Sequence, residues 1–204
     1  MKLKISILLY YFIEPMRLSI GISNRHLHLS QEDANTLFWA NYECKKIKDL
    51  SQPGQYACEE AVTIKWPKGE IWGVRVLGPY RKFTQVEILA GDNYKLGTKA
   101  PLRESGDLEG SESIEIVGPY GKVCLTQGLI VAQRHIHMTV ADAKDFWVEN
   151  EQIVSVKVSG DRALVFQNVV IRVDDKFALD MHIDTEEGNA AGLGMGAWGE
   201  LVKE

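Results

Sequence analysis

The five histidines of this 204-residue chain fall in only three places: His26 and His28, His135 and His137, and His182. On a β-strand, residues i and i+2 point to the same face, so each His-x-His pair aims two imidazoles at one point. Neutral imidazole nitrogen is a good ligand for zinc and other borderline metals. A single pair of this kind reads more readily as two hydrogen-bonded strand histidines. Two pairs at matching positions in a histidine-poor chain turn the reading toward metal. A carboxylate and the fifth histidine are the expected further ligands. Glu87 lies in the largely apolar run Phe83–Ile88 and His182 in the similar run Leu179–Asp184, as if at equivalent positions of two halves. Asp180 and Asp184 flank His182 at i±2. They read either as acceptors that fix its tautomer or as solvated strand charges, and the second reading suits Asp184 better. Cys44, Cys58 and Cys124 are odd in number, widely spaced and form no Cys-x-x-Cys, so neither a disulfide framework nor a thiolate zinc knuckle is expected. Imidazole and carboxylate ligands with positions left open are the pattern of a catalytic metal site.

The two histidine pairs belong to a repeat. Ile22–Ser30 aligns without gaps with Val131–Thr139, an offset of 109 from Ile22 to Val131, and both copies contain Arg-His-x-His. Ser30 and Thr139 are good helix N-caps, each with an aspartate three residues later (Asp33, Asp142), close to a capping box. Each half therefore reads strand, Arg-His-x-His, cap, short helix. Between these units the pattern is β. Short apolar or alternating runs at Ala61–Trp66, Ile71–Leu77 and Gln85–Leu89 are punctuated by turns at Pro67–Gly69 and Gly78–Tyr80. The second half matches, with runs at Ile153–Val158, Ala163–Phe166, Val169–Val173 and Phe177–Ile183. Many short, closely spaced strands indicate small barrels or sandwiches. Asp92–Gly110 reads as a long polar loop, of the kind that is functional or mobile.

Composition excludes several classes. Apolar residues make up 45% and charged residues 25% of the chain, which rules out a disordered chain, a collagen-like fibre and a long coiled coil. A net charge of -5 argues against nucleic-acid or anionic-membrane partners. The cysteine usage suits a reducing cytosol. The nine-residue apolar run Ile5–Ile13 is too short to span a bilayer, and Glu14–Arg17 offers no small-residue cleavage site. Residues 1–15 read as an extension ahead of a start at Met16, as an appended strand or as a targeting peptide.

Five segments, in this order, resemble the PduL-type phosphotransacylases, also called phosphate propanoyltransferases. They are Ser23–Ser30, Leu77–Arg81, Leu102–Leu108, Gln133–Met138 and Met181–Thr185. The resemblance runs from about Met16 to the C-terminus. It implies a mainly β fold of two pseudo-symmetric small β-barrels capped by short α-helices, with the active site between them. It also implies a crossover, so that residues 1–24 plus 133–204 form one barrel and 25–132 the other. By the same resemblance His26, His28 and Glu87 hold one zinc ion, and His135, His137 and His182 a second. Arg81 and Ser105 match phosphate-binding positions, with Arg81 catalytic. Ser23, Lys48, Arg75, Leu77 and Asn189 match positions lining a coenzyme A pocket. Gly188 departs from the family's alanine beside that pocket and removes no ligand.

The implied activity is transfer of a short acyl group, acetyl or propanoyl, between coenzyme A and inorganic phosphate. It needs a thiolate, a polarised carbonyl and a phosphate held in line. Metal ions can supply the first two, and an arginine fork suits the third. The amides around Ser105–Gly106 read either as an anion nest or as a plain turn. No cysteine is placed as a nucleophile, so direct transfer is expected rather than an acyl-enzyme. The rival readings are a zinc-dependent hydrolase on the same ligands and a non-catalytic metal-binding barrel. Acyl-CoA and phosphate are the expected partners, in the cytoplasm or inside a bacterial microcompartment as in propanediol degradation. Both acyl preference and homodimerisation stay open.

Overall fold

The computed structural model describes residues 16–202; the apolar run Ile5–Ile13 lies outside them. In chain order the elements are β1 (Arg17–Ser23), β2 (His26–Ser30), α1 (Gln31–Leu37), β3 (Lys46–Asp49), β4 (Tyr56–Trp66), β5 (Gly69–Arg81), β6 (Gln85–Ile88), α2 (Asp92–Leu96), β7 (Leu102–Arg103), β8 (Glu112–Val117), β9 (Lys122–Ala132), β10 (His135–Met138), α3 (Val140–Phe146), β11 (Ile153–Val158), β12 (Leu164–Val173), β13 (Asp180–Asp184), α4 (Thr185–Ala191) and β14 (Trp198–Val202).

These strands close two barrels. The first runs β1-β13-β10-β12-β11-β14. Here β1 is parallel to β13, β13 antiparallel to β10, and β10 parallel to β12. β11 is antiparallel to both β12 and β14, and β14 antiparallel to β1. The second barrel reproduces every one of these orientations with β9, β6, β2, β5, β4 and β8 in the same order. The repeat seen as nine aligned residues is thus a repeat of whole barrels. β1 belongs to the barrel built otherwise from the C-terminal half, because it pairs with β13 and β14 rather than with its sequence neighbour β2. β3 and β7 extend the second sheet at its edges.

Each barrel has its own core. Leu27, Ile64, Val76, Ile116 and Leu129 pack in one; Ile136, Val156, Ile171 and Met181 pack in the other. Strands β2 and β10 are buried on both faces. Alternation sends Leu27 and Ile136 inward, so the histidines must face the opposite side, toward the other barrel. The helices follow at once because Ser30 and Thr139 cap them, each side-chain oxygen accepting the backbone N–H three residues on. Thr139 and Asp142 close a full capping box. At α1 the box stays open: the Ser30 N–H donates to Thr84 Oγ1 at 2.8 Å, and Asp33 accepts from the hydroxyls of Ser30 and Thr84.

Local readings are corrected in three places. β5 continues through Gly78–Pro79, where a turn is expected. Pro79 sits where the β2 ladder shifts register, so its missing N–H interrupts no pair. Gly78 leaves the room that the Tyr56 ring occupies. β12 is continuous across Gln167–Asn168, with Asn168 at φ 54° supplying the irregularity. The polar stretch Asp92–Gly110 contains α2 and β7.

The barrels are tied together beside the site. Gln52, 2% exposed, donates from Nε2 to the Ala178 carbonyl at 2.9 Å and accepts the Ala178 N–H at 3.2 Å. One amide thus satisfies both backbone groups of a residue in the other barrel. Gln52→Ala should lower stability by about 1–3 kcal/mol, because it leaves that pair unmet. Urea denaturation measures this, and an unchanged midpoint would show that Gln52 bears no load between the barrels.

Candidate active site

In the second barrel, β6 runs antiparallel to β2 and sets Glu87 opposite His26 and Gln85 opposite His28. In the first, β13 sets His182 opposite His135 and Asp180 opposite His137. The equivalence of Glu87 and His182 is therefore one of ladder register. His26, His28 and Glu87 bring one ligand atom each within 4.8 Å of one another, and so do His135, His137 and His182. Both groups open into one cavity of about 610 Å³ between the barrels.

The imidazoles are oriented in parallel ways. His26 Nδ1 lies 2.8 Å from the Asn24 carbonyl, and His135 Nδ1 lies 2.8 Å from the Gln133 carbonyl. Each ring is thereby fixed with Nε2 toward the cluster. His26 Nε2 is 3.3 Å from Glu87 Oε2. His135 Nε2 and His137 Nε2 are 3.0 Å apart, near the roughly 3.3 Å that two nitrogens on one tetrahedral zinc keep. His28 Nδ1 and His137 Nδ1 are buried without any hydrogen-bond partner. Because His135 Nδ1 is committed to a carbonyl, its Nε2 presents a lone pair, and that lone pair 3.0 Å from His137 Nε2 fits a shared cation. His182 Nε2 is held by Asp180 Oδ2 at 3.1 Å and Ser51 Oγ at 3.2 Å. Asp184 caps α4, and the carboxylate hydrogen-bonded to His182 is that of Asp180.

Arg81 stands beside the first cluster. It donates from Nη2 to His28 Nε2 at 2.9 Å and from Nη1 to Ser105 Oγ at 3.0 Å. Ser105 in turn donates to Glu87 Oε1 at 2.9 Å. The Gly106 N–H donates to Gln85 Oε1 at 2.8 Å, so this amide is already used and does not form a nest. Ser23, Lys48, Arg75 and Leu77 line the cavity. Arg75 spends part of its guanidinium on the Cys58 and Glu59 carbonyls. Asn189 does not line it: five residues beyond Asp184 on α4, it is exposed.

Three further residues at the site were not anticipated from sequence. Gln85 shares the Glu87 face of β6 and holds Ser105 at 2.9 Å; strand alternation alone could have flagged it. Arg172 pairs with His137 in the β10–β12 ladder and lines the cavity, and its charge reaches Arg81, His135 and His137. Ser51 arrives from the other barrel. For Arg172 and Ser51 no sequence signal exists without the register.

The family comparison agrees with this geometry. The profile of the phosphate propanoyltransferase family matches residues 19–194. A phosphate propanoyltransferase of Thermotoga maritima is 54% identical over 178 residues, covering 87% of this chain and 85% of its own length. Those of Clostridioides difficile (54% over 187 residues, 92% and 90%) and Listeria monocytogenes (49% over 185 residues, 91% and 87%) are similar over as much. A double barrel with this site is that of an acyltransferase acting with phosphate. The chain belongs to the phosphate propanoyltransferase family. Among the described residues no helix is long and apolar enough to cross a membrane.

Burial holds His28 down at about 3, helped by Arg81 and His26. It holds His135 at about 4, helped by His182, and His137 at about 2, helped by His135 and His182. All three are neutral at pH 7, the form that ligates. Burial pushes the Glu87 carboxyl up, but His26, His28, Ser105 and Arg81 together bring it to about 2. Once unfolded, these imidazoles take up protons near 6.5. Their contribution to stability is complete above that value and is lost as pH falls toward their folded values. Glu87, ordinarily at 4.5, adds a further loss below that point. The melting temperature of the metal-free chain should therefore fall between about pH 7 and 4, and His137→Asn should flatten the upper part of the decline. A parent profile without slope in this range would contradict buried neutral imidazoles.

Proposed function

We propose that the chain moves an acetyl or propanoyl group between coenzyme A and inorganic phosphate at a two-zinc site, by direct transfer. The carrying observation is that two register-equivalent ligand groups face one cavity with Arg81 between a ligand and the Ser105 loop. His26, His28 and Glu87 are assigned to one ion, and His135, His137 and His182 to the other. When bound, zinc supplies Lewis acidity toward the acyl carbonyl and acidifies the attacking thiol.

The chain's own residues do the rest. Arg81, tethered by Ser105, offers its fork to phosphate oxygens, and Arg172 adds a second positive charge facing the same space. Gln85 fixes Ser105, and so the depth of the phosphate. Lys48 and Ser23 at the cavity rim, with Arg75 and Leu77 on its wall, are assigned to coenzyme A. Asn189, exposed on the neighbouring helix, is assigned only to an outer part of that ligand. None of the cysteines lines the cavity, which supports transfer without an acyl-enzyme. The two barrels, whose described residues are 16–24 with 133–202 and 25–132, act as the two domains that enclose the substrates. The propanoyl chemistry in the relatives' name supports a role in propanediol degradation, in the cytosol or enclosed in a bacterial microcompartment.

Arg81→Ala should leave zinc content unchanged and slow acyl transfer roughly thirty- to a thousand-fold, the effect of about 2–4 kcal/mol at a buried phosphate. Arg81→Lys should recover only part of this, because it restores the charge but not the fork. The measurement is acyl transfer to coenzyme A against acyl phosphate concentration, with zinc counted in each protein. Near-normal kinetics in the alanine variant would remove the phosphate half of the reading. Phosphate release that continues without coenzyme A would favour the hydrolase instead.

A further inference from the structure

Outside the cavity, three side chains that acyl transfer does not use come together where the segment before β3 meets β4. Cys44, Cys58 and Glu60 bring two sulfurs and a carboxylate oxygen within 4.8 Å of one another. Cys58 and Glu60 are i and i+2 on β4, inside the stretch where its register on β5 shifts. Lys46 pairs with Cys58, and the Glu59 N–H donates to the Lys45 carbonyl at 2.7 Å. The same register carried back sets Cys44 across from Glu60 and diagonal to Cys58.

Two of the three side chains are already oriented by neighbours. Tyr80 Oη, which donates to the Tyr42 carbonyl at 3.0 Å, lies 3.2 Å from Cys44 Sγ. Tyr42 Oη donates to Glu60 Oε1, and the Lys45 N–H reaches the two Glu60 oxygens at 3.1 and 3.2 Å. The third, Cys58, is wholly buried, while Cys44 is half-buried. Hydrogen-bonded support of this kind is what orients the ligands of a metal.

We propose that Cys44, Cys58 and Glu60 form a metal site for a thiophilic divalent cation of the zinc or cadmium type, separate from the histidine groups and independent of their role. A diagonal cross-strand pair keeps its Cβ atoms farther apart than the roughly 3.8 Å of a disulfide. An ion spans the gap instead: with Zn–S bonds of about 2.3 Å, tetrahedral ligands stand roughly 3.7 Å apart. Loading replaces both thiol protons, which leave to solvent, and Glu60 enters as the carboxylate. The Cys58 thiol's hydrogen bond to Cys44 holds the Cys44 thiol below its ordinary value, against burial and with help from Tyr80, while the same bond and burial push the Cys58 thiol up, so Cys58 gives up its proton only to the ion. The fourth position, on the half-buried Cys44 side, is left to water. An ion here would clip the approach to β3 onto β4, next to the segment that carries Lys48 and Ser51 to the cavity.

The test is cobalt(II) titration of the reduced, metal-free full chain, followed by thiolate-to-cobalt charge-transfer absorption. Imidazole and carboxylate ligands give no such band, so the histidine groups are silent in it. A band is expected whose final amplitude corresponds to one thiolate-bound cobalt per chain, whatever the histidine groups take up, and which is displaced by zinc, disappears in Cys44→Ser and Cys58→Ser and persists in Cys124→Ser. Because Cys58→Ser alters a buried position, a second measurement uses the unaltered chain: zinc should slow alkylation of Cys44 by about tenfold or more while Cys124 reacts at its own rate. Absence of the band in the parent chain, its persistence in Cys44→Ser, or alkylation of Cys44 that ignores zinc would each overturn the proposal.

Discussion

The site depends on one constraint, the register of a short antiparallel ladder in each barrel. β2 against β6 and β10 against β13 each match only three residue pairs. Those pairs put Glu87 across from His26 and His182 across from His135. A slip of one residue would turn Glu87 and His182 toward the barrel interiors and their apolar neighbours toward the cavity. The apolar faces prevent it. Leu27 and Val86, and Ile136 and Met181, are paired in the same ladders and are wholly buried. The packing of those four side chains and the convergence of the ligands are therefore a single event.

The second barrel is what makes the arrangement tolerable in isolation from bulk water. A histidine face turned outward would ordinarily be solvated, and here it is covered by a second copy of itself. Covering it removes water from imidazoles, a carboxylate and a guanidinium together. The network accommodates this by neutralising what it can and pairing the remainder. The imidazoles of His28, His135 and His137 stay neutral. Glu87 stays ionised beside His26, His28, Ser105 and Arg81, while Arg81 is held between Ser105 and His28. Gln52, Ser51 and the Glu186 carboxylate on the Gly91 N–H then pin one barrel to the other around the enclosed charge.

Much of this was legible in the residues, and the limits have a physical cause. His-x-His spacing is a two-residue property of a strand, so it can be read locally. The caps at Ser30 and Thr139 are equally local. The repeat was visible only where ligands and caps constrain residue type; elsewhere the barrels share a ladder pattern but not side chains. Glu87 and His182 could be suspected from their apolar surroundings, yet their equivalence lies in pairing register, which no spacing encodes. Arg172 shows the same limit, since nothing but the β10–β12 ladder brings it to His137. The Cys44–Cys58 cluster lies further still from local reading. Its residues are separated by a loop and a strand edge, and a search for Cys-x-x-Cys passes over them. Gly78–Pro79 misled in the opposite direction, because turn chemistry was placed where a register shift lets a strand carry it.

The two halves have also diverged in a way that bears on the proposed chemistry. At register-equivalent positions, Glu87 stands where the other barrel has His182, Gln85 where it has Asp180, and Leu77 where it has Arg172. The first ligand set carries a formal negative charge and the second carries none. Under the two-zinc reading, a cation held by three imidazoles keeps more net positive charge than one that shares a carboxylate. Arg172 beside the all-histidine set adds to that positive potential. Arg81 and Ser105 sit beside the set that has a carboxylate: Ser105 donates to it, the Arg81 charge lies near it, and under the same reading both meet the phosphate. A symmetric pair of sites would treat thiol, carbonyl and phosphate alike. The carboxylate on one side and the second arginine on the other give the two ends of the cavity different electrostatic character, which a transfer between two chemically unlike acceptors requires.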